Sequence, residues 1–151
     1  MESLEHYIHI VEDSIGRIGI DPAPSRGKQP GQWNLRKGSA QIALDLFRFK
    51  EDGPLFFSVM SPIMKVPKSN MERLATELLK INHSMAGTAF TLFRDLIFVR
   101  AIREAAGMDA VEAMNLILRV GNNADYFDEK LQQEFPHQQP IGFRTGNSQP
   151  E

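Results

Sequence analysis

The chain has 151 residues, 42% hydrophobic and 24% charged, with 17 Lys and Arg against 19 Asp and Glu for a formal net charge of -2. That is the size and composition of one globular domain, and the near-balance excludes the basic excess of a nucleic-acid binder. The absence of cysteine excludes disulfides, thiolate zinc sites and cysteine nucleophiles, and it fits a reducing cytoplasm.

The first residues, Met1 to His6, carry Glu where a signal peptide needs Lys or Arg. No apolar run approaches the roughly 18 residues of a membrane span. A cytoplasmic protein with no membrane partner is expected. Leu4, Ile8, Val11, Ile15 and Ile18 recur at helical spacing and predict an amphipathic first helix. Gly19 is placed to end it, and Pro22 and Pro24 prevent it from resuming. Residues 21–32 are rich in Pro and Gly without apolar period and predict a mobile surface loop. The glycines lack the spacing of a phosphate-binding loop.

Strands follow. Trp33 and Leu35 begin the first, and Lys37-Gly38 marks a turn. Ala40, Ile42, Leu44 and Leu46 then alternate with Gln41, Ala43 and Asp45, the pattern of a half-buried strand. Glu51-Asp52-Gly53 predicts a hairpin turn with Gly53 free to take a positive φ. Leu55, Phe57 and Val59 fall on one face of the next strand, Phe56 and Met60 on the other. Pro62 cannot donate to a ladder, which predicts an edge or a bulge.

Ser69 and Glu72 have the spacing of a capping box. Behind it, Met71, Leu74, Leu78 and Ile81 give a second helix its buried stripe. Thr88 to Phe93 and Leu96 to Arg103 predict a hairpin around Arg94-Asp95, with Asp95 tolerating the left-handed turn. Gly107 breaks the chain, and Asp109 with Glu112 caps a long last helix. Ala113, Ile117, Val120, Ala124, Phe127 and Leu131 form its main stripe; Val111, Met114, Leu118 and Gly121 form a second row. Two rows fit either burial on two sides, by the sheet and by another element or subunit, or one wide stripe in a thick core. Residues 136–151, rich in Pro, Gln, Gly and Asn, predict a disordered tail.

Little here suggests chemistry. His6 and His9 share a helix face near Glu5 and Asp13, but a solvated polar face is the simpler account, and no metal site is predicted. No nucleophile elbow exists, and Asp45, Asp52 and Asp95 show no paired-carboxylate logic. Arg48, Lys50, Arg94, Arg100 and Arg103 could share a basic sheet face, yet the surrounding acids cancel the field. Ten Phe and seven Met exceed the need of a minimal core. They fit gap-filling, or a seam or groove for a partner.

The order helix, three strands, helix, two strands, helix resembles the type III secretion chaperone-like fold of the Tir-chaperone (CesT) proteins and the YbjN-type domains. Leu78-Leu79-Lys80-Ile81-Asn82 is similar to that family's helix end. Phe90-Thr91-Leu92 with Leu96-Ile97-Phe98-Val99-Arg100 is similar to its last hairpin, and Gly107-Met108-Asp109 with Ala124-Asp125-Tyr126-Phe127 to its last helix. The resemblance implies a cytoplasmic protein, often a homodimer, that binds partner proteins and has no catalytic residues or cofactor. Secretion chaperones hold an extended effector segment; YbjN-type domains are described loosely as regulators.

The expectation is one α+β domain over 1–135, an antiparallel sheet of about five strands with packed helices, followed by the tail. It binds an effector or regulatory protein without catalysis, as a homodimer. A YbjN-type module or small-ligand sensor is the alternative. Candidate partner or dimer contacts are Val111, Met114 and Leu118 on the last helix, with Met60 and Met64 near Pro62.

Overall fold

A computed structural model describes residues 3–135. The elements run α1 (Leu4–Ile18), α2 (Pro22–Ser25), β1 (Gln32–Lys37), β2 (Ala40–Arg48), β3 (Leu55–Lys65), α3 (Met71–Ser84), β4 (Ala89–Phe93), β5 (Leu96–Glu104) and α4 (Ala110–Glu134). The predicted order holds, with α2 added where the sequence reads as a loop. The predicted tail over 136–151 lies outside the described residues.

The five strands make one antiparallel sheet in the order β1-β2-β3-β5-β4. Side chains alternate across it, so register decides which face each residue serves. Ile42, Leu44 and Leu46 lie opposite Leu35, Val59 and Phe57 respectively, and Val59 lies opposite Ala101. These buried side chains form one face, on which α4 lies across β2, β3 and β5, with α1 alongside α4. Each large side chain fully buried there stabilises the fold by about 1.5–3 kcal/mol. At Gly121 the approach of α4 to β2 is close: an added Cβ would stand 3.0 Å from Ile42 Cδ1. Gly121 of the second apolar row therefore serves helix-to-sheet packing.

Local chemistry sets the ends. Ser3 caps α1, and Gly19, at φ 96, closes it in the left-handed region that glycine takes without strain. The Asp109–Glu112 capping box of α4 is formed in both directions, at 2.8 and 2.9 Å. The one expected at Ser69–Glu72 is not. Asn70, left-handed at φ 61, is the N-cap, without a side-chain bond. Asn tolerates that conformation, and its carbonyl takes the Leu74 amide at 3.0 Å.

Two turns differ from expectation. Gly53 is not among the positive-φ glycines; its amide bonds the Lys50 carbonyl at 2.9 Å in an ordinary turn. In the β4–β5 hairpin Arg94, not Asp95, is left-handed, at φ 57, while the Asp95 carbonyl accepts from the Val66 amide at 2.8 Å. Pro62 marks a register shift between Pro62 and Met64 within β3. Pairing with β2 ends at Met60 and only β5 pairs with β3 at Pro62, so Pro62 sits at a bulge on a locally one-sided stretch of the strand.

The loop over 21–32 is pinned. Glu12 on α1 accepts from Arg26 Nε at 2.7 Å, from Arg26 Nη2 at 2.8 Å and from Trp33 Nε1 at 2.9 Å. The Gly27 amide bonds the Gln32 carbonyl, and the Gly31 carbonyl takes the Leu46 amide. A mobile loop was expected because the Glu12 contacts span 14 and 21 residues, beyond the reach of local pattern.

Candidate partner-binding site

The five expected contact residues do not lie together. Met64 is 1% exposed, paired with Ile97 on the helix-covered face, and belongs to the core. The register shift at Pro62 turns it inward. Met60 is half-buried on the opposite face, across from Arg100. Val111 is 45% exposed, and Met114 and Leu118 are half-buried. At 3.6 residues per turn these three lie roughly 100–160° round α4 from the Ala113–Ile117–Ala124 stripe that meets the sheet. They form an apolar row of which Val111 is exposed and Met114 and Leu118 are partly covered.

A second apolar surface surrounds the β4 edge. Asn82, at the end of α3, holds the backbone of Phe90 on both sides: its Oδ1 accepts the Phe90 amide at 2.7 Å and its Nδ2 donates to the Phe90 carbonyl at 3.2 Å. The Phe90 groups therefore point away from β5. Antiparallel alternation then turns the amide and carbonyl of Leu92 outward as well. Leu92 and Phe93 are 57% and 49% exposed, and Leu79 on α3 is 69% exposed. The Leu-Leu-x-apolar-Asn helix end thus has a physical role: its Asn plugs half of a short open edge.

The sheet face away from α1 and α4 carries the third feature. Phe47, Phe49 and Phe56 cluster there, with centroids 4.9, 5.0 and 6.2 Å apart. Beside them lies a basin of about 330 Å³ lined from all five strands, including Asn34, Asp45, Ser58, Met60, Phe93 and Arg100. Asp45 stands opposite Ser58 in the β2–β3 register, and Arg100 Nε donates to Ser58 Oγ at 3.1 Å. Burial pushes the Asp45 carboxyl above its ordinary range, against the pull of the Arg100 charge. Among the described residues no hydrogen bond or ion pair reaches that carboxylate. The sequence reading set Asp45 aside for want of a carboxylate partner; the signal was its place, on one polar phase with Arg100 two strands away.

A larger cleft, about 720 Å³, lies between α1 and the pinned loop, with Leu4, Ile8 and Pro30 on its walls and His9, Glu12 and Arg26 among its polar groups. The bidentate Arg26 bond, the strongest influence, holds the Glu12 carboxyl below its ordinary range. The basic residues of the sheet do not share a face. Arg100 and Arg103 are three apart on one strand, and Arg103 reaches Glu112 at 3.5 Å on the helix side. Among the described residues no group of three or more His, Cys, Asp or Glu could hold a metal, and no helix is long and apolar enough to cross a membrane.

No protein-family model matches the chain, and no curated protein matches it in sequence. Solved structures do match. A chain of the HopA1–SchA chaperone–effector complex is 10% identical, with a TM-score of 0.61 over 85% of this chain and 99% of that one. A chain of the heterodimeric ExoU–SpcU complex from the type III secretion system of Pseudomonas aeruginosa is 11% identical, with a TM-score of 0.55 over 78% and 94%. YbjN from E. coli is 16% identical, with a TM-score of 0.54 over 92% and 97%. The element order, the one-sided helix layer and these likenesses together make this the type III secretion chaperone-like fold, which the chain shares with YbjN.

Proposed function

We propose that the chain is a non-enzymatic protein-binding domain, chaperone-like or regulatory, that works as a homodimer and takes an extended segment of a partner. The observation that carries this reading is apolar surface left open by the chain itself: Val111 on α4, Leu92 at the β4 edge and Leu79 on α3. Isolated apolar side chains on a surface are ordinary, but those at the β4 edge adjoin an outward-facing backbone. An extended segment pairing with Leu92 would gain main-chain hydrogen bonds and set alternate side chains against Leu79 and Phe93. The row Val111, Met114 and Leu118 then serves as the seam between two copies. Met60, on the other sheet face, is a further contact for a partner, and Met64 is not. The likeness to structures described as a chaperone–effector complex and a type III secretion complex supports the same reading.

Light scattering on size-separated protein tests the seam. The wild type is expected to run as a dimer and Met114→Asp as a monomer with its helical content retained. A wild-type monomer at high concentration would remove the seam and favour a YbjN-like regulatory module.

A further inference from the structure

We propose that the basin on the open sheet face binds a small zwitterion of the α-amino-acid type, its ammonium on Asp45 and its carboxylate on Arg100. This does not rest on the protein-binding reading, although Met60 and Phe93 border both surfaces.

Two opposite charges face one basin and converge on one residue. Asp45 is opposite Ser58 by strand register, and Arg100 is held to Ser58 Oγ by its Nε. Ser58 is 4% exposed and Asp45 and Arg100 are half-buried. The guanidinium is thus fixed through Nε, with its two terminal nitrogens left to donate to a carboxylate. Among the described residues Asp45 and Arg100 form no ion pair within 4.0 Å, although the Arg100 charge acts on Asp45. Two such charges, drawn partly out of water and not paired with each other, can each take an opposite charge from a ligand.

The arrangement selects among ligands. A simple cation would satisfy Asp45 and be repelled by Arg100; a simple anion would do the reverse. An apolar molecule would desolvate both charges and satisfy neither. A molecule bearing both charged groups on one carbon satisfies both. At about 330 Å³ the basin lies at the lower end of ligand sites, which run from roughly 300 to 1,000 Å³. It therefore suits one small molecule. Phe47, Met60 and Phe93 line it with apolar surface, so an apolar side chain is preferred over a charged one.

The test is isothermal titration of the full chain with each of the twenty standard α-amino acids, followed by the N-acetyl and amide derivatives of the tightest binder. An apolar amino acid is expected to bind, and each cap to weaken it about tenfold or more, the loss of one charge-assisted bond. Asp45→Asn is expected to weaken the free amino acid similarly and to make N-acetylation cost nothing further. Arg100→Gln should do the same for amidation. Because Arg100→Gln also breaks the Ser58 bond, circular dichroism accompanies it. Phe93→Ala, at a side chain 49% exposed, reports on the same basin without that risk and should weaken binding. No heat with any amino acid at millimolar concentration, binding indifferent to both caps, or wild-type affinity in Asp45→Asn and Phe93→Ala would each overturn the proposal.

Discussion

At the scale of single residues, Glu12 carries more of the fold than its helix position suggests. Its carboxylate gathers three donors from two segments, one of them the Nε1 of a tryptophan that is 1% exposed. Glu12→Ala leaves that donor buried and unpaired, a loss of about 1–3 kcal/mol, to be read as a fall in the denaturant midpoint. The pH dependence has a definite sign. The bond to Arg26 lowers the folded-state value below the ordinary glutamate value of 4.5, so the stabilisation is complete above 4.5 and is lost as pH falls through the lowered value. Between pH 5 and acid, wild type should therefore lose more stability than Glu12→Gln. Asp45 has the opposite sign. Burial raises its folded-state value above the ordinary 3.8, so the cost to the folded state builds as pH rises from 3.8 and is complete above that raised value. Asp45→Asn should melt higher than wild type at pH 7, with the gap closing as pH falls toward 3.8.

At the scale of elements, the sequence's periodicities were sufficient. The alternation of β2 depends on neighbours within a strand and was legible; of the α1 stripe Val11 and Ile15 are buried and Leu4, Ile8 and Ile18 half-buried, while the buried Tyr7 and Ser14 fell outside it. The capping box at Asp109–Glu112 was legible for the same reason. Asp109→Ala should cost about 1 kcal/mol, a drop of roughly 2–4 °C in melting temperature for a chain of this size. Ser69 misled because a cap depends on where the helix begins, and Asn70 moves that start by one residue. Asn82 could be seen only as the end of a motif. Its bonds to Phe90 span eight residues and a change of element. Asn82→Ala should expose the Phe90 backbone and speed amide exchange there before it affects the sheet centre.

At the scale of the whole molecule, helices on one face leave the other to define itself. Core membership followed from register, so most of it was readable. The basin was not, since Asn34, Asp45, Ser58, Phe93 and Arg100 come from five strands and meet only when the sheet is assembled. Met64 was misassigned because one bulge at Pro62 reverses the facing of every residue after it. Whether α4 has one buried side or two is likewise a property of the assembly. Leu118→Asp should act like Met114→Asp in light scattering, whereas Ile117→Asp, at 1% exposure, should unfold the chain.

The chain has a single tryptophan, and it is the residue that joins the loop, α1 and β1. Trp33 is thereby a built-in optical probe of that junction. Its emission should lie to the blue while Glu12 holds it and shift to the red when the junction opens. Release of the loop and melting of the sheet can then be followed as separate signals, emission for the first and far-ultraviolet ellipticity for the second, without attaching a dye.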